Sequence, residues 1–199
     1  MKMEELDPIL KDLIARRHGY LLIKDVEQRE IPRYLAYIWL SNTSMKKVAS
    51  GTFALQECET DWMFVLQCRL TESVFSHRSA LLLHSYIDHE DFMTITVPRG
   101  YYHREVLDKG IQVIQVQRDV LNPGIENVRS SSGNEVRAYN IHRTMAEIIR
   151  RNDDLTEDEY QAVLDRYFHG PDCDLAQLSY YGEMLHARLK VEKAIHSLR

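Results

Sequence analysis

Nine histidines and thirty acidic side chains are the groups from which this chain could build a metal or acid–base site. His77 and His84 stand seven residues apart, on one side of a helix if a helix covers them, and His89 follows in a loop. No cysteine or carboxylate joins them at the spacing of a zinc site, so both are expected to cap or pack a helix, with no metal or nucleotide held. A magnesium nuclease would need acids on adjacent strands converging on a hard cation. The segments 92–97 and 111–116, which read as strands, contain no Asp or Glu. Asp91, Glu105, Asp108 and Asp119 fall at strand ends or in loops, where surface charge is expected. Neither a GxxxxGK[ST] nor a GxGxxG loop occurs to cradle phosphate, and no GxSxG elbow presents a hydrolase serine. The expectation is a protein without a catalytic residue or a cofactor.

Recognition of phosphate and bases is a different chemistry, and here the residues are more informative. Residues 16–55 carry Arg16, Arg17, Lys24, Arg29, Arg33, Lys46 and Lys47 against Asp25, Glu27 and Glu30, a net of +4 in a chain of net charge −5. A basic block in an acidic protein is the electrostatic footprint of a phosphate-contacting module. The elements that would position it are readable. Tyr20–Ile23 is extended, Lys24–Arg29 is polar and helix-forming, and a break follows at Glu30-Ile31. Pro32 suits the first turn of the next helix, along which Ile31, Leu35 and Ile38 recur as an inward stripe. The same winding turns Arg33 and Tyr37 to the opposite side, flanked by Tyr34 and Ser41, as on a recognition helix in a major groove. Lys46–Leu55 reads as two short strands turning near Ser50-Gly51, a wing. On this reading Arg33 and Tyr37 face bases with Tyr34 and Ser41 beside them, while Lys24, Arg29, Lys46 and Lys47 meet phosphate. The same elements also occur as plain scaffold, and some winged helices bind proteins.

Composition bounds the rest. Hydrophobic content of 44% with 28% charged residues is ordinary for a globular chain of 199 residues. No run approaches the ~18 apolar residues of a membrane span, and MKMEELDPIL has acids where a signal peptide has a basic end. Cys58, Cys68 and Cys173 are odd in number and widely spaced, which fits neither a disulfide framework nor a CxxC site. A reduced, cytoplasmic protein is expected. Residues 153–185 hold nine acids against Arg166 alone, read as a solvated helical surface.

Along the chain, residues 4–17 form a first helix with acids early and Arg16-Arg17 late, matching the helix dipole. Glu57–Thr60 is the candidate boundary, giving a domain over 1–58 and a second over 59–199. The second opens with a buried helix at 61–68. Ser76 is placed to cap a leucine-rich helix, strands follow at 92–97 and 111–116, and Ser130–Asn134 turns a hairpin between 127–129 and 136–139. Helices close the chain: 141–150, one capped by Thr156 and Glu159, one begun by Asp174, and a last one using Val191, Ile195 and Leu198. The fold class is α+β: an N-terminal winged helix-turn-helix plus an α+β domain ending in helices.

Taken together, several short motifs resemble the AbiE-type antitoxins (the AbiEi family) of bacterial abortive-infection toxin–antitoxin systems. They are Gly19-Tyr20-Leu21 through Asp25, Gly51–Leu55, Phe75-Ser76-His77-Arg78-Ser79-Ala80-Leu81 with His84, Thr96–Gly100, Gly133–Tyr139 and Arg143-Thr144, in that order along nearly the whole chain. The resemblance implies a winged helix that binds inverted repeats in double-stranded operator DNA and represses its own operon. It also implies a C-terminal domain that neutralises a nucleotidyltransferase-like toxin in a phage-resistance system. Ser50 and Asn140 depart from the family, which often has Arg and Asp there. The residues leave open a solitary winged-helix regulator with a ligand-sensing second domain, or, less favoured, a metal-dependent nuclease.

Overall fold

The computed structural model of the chain describes residues 3–89, 92–101, 110–152 and 155–197; Asp91, Glu105, Asp108 and Leu198 lie outside them. The fold is α+β, in two compact units. The first comprises Met1–Thr71 with Arg129–Glu135, and the second Glu72–Val128 with Val136–Arg199.

In the first unit α1 (Met3–Arg16) buries Leu6, Leu10, Leu13 and Ile14, one stripe at helical period. Glu4 and Glu5 in its first turn and Arg16 in its last complement the helix dipole. The helix ends where Gly19 takes φ +95°, a conformation that glycine adopts without strain, and a Cβ there would lie 2.9 Å from Cys58 Sγ. Next come β1 (Tyr20–Leu22), α2 (Ile23–Glu27), α3 (Arg33–Leu40), β2 (Lys46–Ala49) and β3 (Thr52–Ala54). The strands form an antiparallel sheet in the order β1-β3-β2, and Gly51 at φ +64° turns the β2–β3 hairpin. The core joins the α1 stripe to Leu21, Val26, Ile31, Ala36, Trp39 and Leu40.

This unit continues past the Glu57–Thr60 connector to α4 (Trp62–Arg69), which the sequence assigned to the second half. Packed on β2, α4 buries Phe64, Val65 and Leu66. Its N-cap, Asp61, is 4% exposed. One carboxylate oxygen accepts the Phe64 N–H at 3.0 Å; the other accepts Ser130 Oγ–H at 2.6 Å and Asn134 Nδ2–H at 3.0 Å. A buried carboxylate demands such donors, which is why Arg129–Glu135 belongs to this unit.

The second unit is built on a five-stranded sheet ordered β6-β5-β4-β8-β7. Its strands are β4 (Val74–Phe75), β5 (Thr94–Pro98), β6 (Gln112–Val116), β7 (Ile125–Arg129) and β8 (Glu135–Tyr139). β4 is central, antiparallel to β5 and parallel to β8, and β5 runs parallel to β6. Among the described residues six helices accompany the sheet: α5 (His77–Leu83), α6 (Arg118–Leu121), α7 (Ile141–Arg150), α8 (Glu157–His169), α9 (Leu175–Met184) and α10 (Arg188–Ser197). Ser76 stands at the N-cap of α5, yet its hydroxyl accepts from Thr96 Oγ1 at 2.9 Å instead of capping. Asn140 does cap α7, accepting the Arg143 N–H at 2.9 Å. Asp174 caps α9 through the N–H groups of Ala176 and Gln177.

In the first turn of α7, Arg143 is fully buried. Its Nη1 donates to the carbonyls of Val120 and Pro123, both at 2.6 Å. Nε donates to Glu147 at 3.3 Å, and the guanidinium lies 3.6 Å from the centroid of the Tyr139 ring. Burial beside Glu147 drives the Tyr139 phenol up from its ordinary range.

Thr156 and Glu159 form the expected capping box of α8. The Glu159 carboxylate also accepts from buried Arg78 at 2.8 Å. The Arg78 guanidinium, then the Thr156 N–H, hold its pKa down to about 2 from 4.5. A folded pKa below the unfolded one gives stability that is complete above pH 4.5 and lost as pH falls toward about 2. Glu159→Gln is therefore expected to lower the melting temperature at neutral pH and to flatten the acid limb over that window, followed by melts at a series of pH values. A variant whose acid limb matched wild type would refute the assignment.

Candidate nucleic-acid interface

Helix α3 reads RYLAYIWL, almost wholly apolar, and its phase is set from behind. Trp39 Nε1–H donates to Asp7 of α1 at 2.9 Å, and Ala36, Trp39 and Leu40 are the buried residues. This corrects the expected stripe: Ile31 is buried and Leu35 partly so, but Ile38 is 48% exposed. The turn before the helix is at Glu30, with φ +59°, and Pro32 is the N-cap, one position before the first turn.

The rotated phase leaves Arg33, Tyr34, Tyr37, Ile38 and Ser41 exposed together. Arg33 opens the helix, the end from which a recognition helix contacts base edges. Tyr37 is held edge-on against Phe53 of β3, ring centroids 6.1 Å apart, which ties the helix face to the hairpin. Ser41 donates its hydroxyl proton to the Ile38 carbonyl at 2.7 Å, so only its lone pairs remain for a partner.

The four expected phosphate contacts divide. Lys47 lies opposite Phe53 in the β2–β3 ladder and is exposed. Paired residues share one face of a sheet, so Lys47 projects on the side where Phe53 meets Tyr37. Lys46 lies opposite Ala54, half-buried, on the other face. Lys24 is exposed on α2. Arg29, just past α2, gives its Nη2 to Asp12 at 3.2 Å, and Asp12 also accepts from Arg16. Arg17 is bound to buried Asp25 at 2.9 Å. These carboxylates neutralise much of the arginine charge beside α2.

The structure therefore brings Arg33, Tyr34, Tyr37, Ser41 and Lys47 together and leaves Lys46 and Arg29 less available. It adds Ile38, which the sequence reading turned inward, and Arg69, which that reading passed over. Ile38 offers an apolar contact of the kind that meets a thymine methyl. Arg69 of α4 donates to the Val48 carbonyl at 2.6 and 3.2 Å, bracing the hairpin with a further cation. A readable signal for this surface was the absence of acids: between Glu30 and Glu57 the chain has no Asp or Glu.

Outside this surface, His84 Nε2 donates to the Tyr139 carbonyl at 2.8 Å as the C-cap of α5, and His77 begins that helix, buried. Among the described residues no three His, Cys, Asp or Glu side chains converge as a metal site would need. None of their helices is long and apolar enough to cross a membrane.

No family model matches the chain, and no curated protein matches it. Among solved structures, that of the RV2827C protein from Mycobacterium tuberculosis is similar, with a TM-score of 0.46 and 12% identity over 96% of this chain and 80% of that one.

Proposed function

We propose that the first unit is a winged helix-turn-helix that binds double-stranded DNA, α2 and α3 forming the helix-turn-helix and β2–β3 the wing. The observation that carries this reading is the acid-free exposed face of α3. There Arg33, Tyr34, Tyr37, Ile38 and Ser41 stand on a helix fixed from behind by Trp39 and Asp7, with Lys47 on the adjoining face of the hairpin. Arg33 supplies the bidentate donor that reads guanine, Ile38 and the tyrosines supply apolar contact, and Lys47 and Lys24 meet phosphate. The role of the second unit, neutralising a nucleotidyltransferase-like toxin, rests on the motif resemblance. Together they make the protein a cytoplasmic, non-enzymatic antitoxin that represses its own operon through inverted repeats.

The test is a titration of the full chain against its own promoter and a scrambled duplex of the same composition at several salt concentrations. Log K for the promoter is expected to fall with log salt at a slope of roughly −0.9 per phosphate neutralised, so about −2 to −4 for two to four lysine and arginine contacts per half-site. Equal affinity for both duplexes would remove the repressor reading, and no binding to either would remove DNA altogether.

A further inference from the structure

The second unit contains a cavity of about 490 Å³, a size that accepts a small organic molecule. Its floor is polar and buried: His77 at the start of α5 is 8% exposed and Glu147 of α7 is 4% exposed. Glu147 Oε1 is engaged by Arg143. Its Oε2 lies 3.5 Å from His77 Nδ1, and within the described residues neither of these atoms has a hydrogen-bond partner. Beyond this long contact with each other, the two buried atoms make no hydrogen bond, an arrangement that is costly unless a further group meets them. Arg99, Arg150, Arg151 and His186 stand at the mouth, all exposed, while Ile114, Val116 and Leu185 give an apolar wall. The backbone is strained where it delivers both histidines: His77 has φ +48° and His186 φ +55°. Such conformations persist in non-glycine residues where the surroundings impose them, and they gather at ligand sites.

We propose that this cavity binds a small organic phosphate of nucleoside-monophosphate size. The phosphate sits at the mouth among the arginines, whose planar forks match its oxygens. The apolar wall covers the body of the ligand. A hydroxyl or amino group reaches the floor, where Glu147 Oε2 accepts its proton and His77 Nδ1 forms the second contact. The buried floor favours a discrete small molecule over a nucleic-acid backbone, which would meet the exposed mouth alone. The site lies wholly within the second unit and does not depend on whether the first binds DNA.

Calorimetric titration of the full chain with the four nucleoside 5′-monophosphates, ribose 5-phosphate and inorganic phosphate tests it. At least one organic phosphate is expected to bind more tightly than inorganic phosphate. Arg99→Glu with Arg150→Glu, both on exposed positions, should weaken all of them by at least about tenfold. His77→Asn keeps a residue that tolerates positive φ, and should weaken the organic phosphate by about tenfold while leaving inorganic phosphate unchanged. No binding at millimolar concentration, binding unaltered in the double variant, or binding of a single-stranded oligonucleotide without any monophosphate would each overturn the proposal.

Discussion

Reversing Arg33 and Lys47 to glutamate together is expected to weaken promoter binding by about 100-fold or more. A bidentate arginine contact alone is worth about 1–3 kcal/mol, and reversal adds repulsion from phosphate where attraction stood. Both side chains are exposed, so the melting temperature should stay within a degree or two, since such surface changes usually move stability by less than about 0.5 kcal/mol. Protection against the toxin in cells is expected to persist. Lys46→Glu is the internal control: from the far face of the hairpin it should weaken binding much less than Lys47→Glu. Equal losses would mean that the hairpin does not present Lys47 as described. Charge reversal is also a cleaner separation of roles than deleting residues 1–60. That deletion would strip the cover from Phe64, whose ring packs edge-on against Tyr20 at 5.0 Å.

The second large effect belongs to Arg143. Arg143→Ala is expected to cost about 3–5 kcal/mol, because removing one partner of a buried pair leaves the other charge uncompensated. Glu147 would lose its donor, and the carbonyls of Val120 and Pro123 would lose theirs. With domain stabilities of about 5–15 kcal/mol, such a loss is a large fraction of the total. Arg143→Lys should recover little, since an ammonium cannot reach both carbonyls and lie flat on Tyr139. Urea unfolding of the full chain measures this; a loss below about 1 kcal/mol would show that Arg143 does not organise α7.

Local signals in the sequence were the readable ones. The Gly51 hairpin, the Thr156–Glu159 box and the Asp174 cap each depend on residues within a few positions of each other, and each forms. The phase of α3 was not readable, because seven of its eight residues are apolar or aromatic and two stripes compete. A hydrogen bond from Trp39 to Asp7, 32 residues away, selects the one that exposes Ile38. Ser76 had the right type and place for a cap, but Thr96 from the neighbouring strand took its hydroxyl. Exposed Arg33, Tyr34, Tyr37 and Ser41 were legible from the winding alone. Lys46 and Lys47 could be separated only once the ladder register was known. The cavity in the second unit was out of reach: His77, Arg99, Glu147 and His186 are scattered through the sequence and meet only in the folded unit.

The donors that satisfy Asp61 impose an order on synthesis. When Thr71 leaves the ribosome, α1 to α4 and the hairpin have all been made, but Ser130 and Asn134 have not. The segment that completes the first unit comes roughly 60 residues later, a delay of about 3–12 s at ordinary elongation rates. Through that interval the nascent chain must leave the Asp61 carboxylate hydrated, so α4 cannot settle fully and its apolar face remains open to chaperones or to misassociation. The amino-terminal unit is begun first, yet the donors that complete it emerge only after β4 to β7 of the second unit.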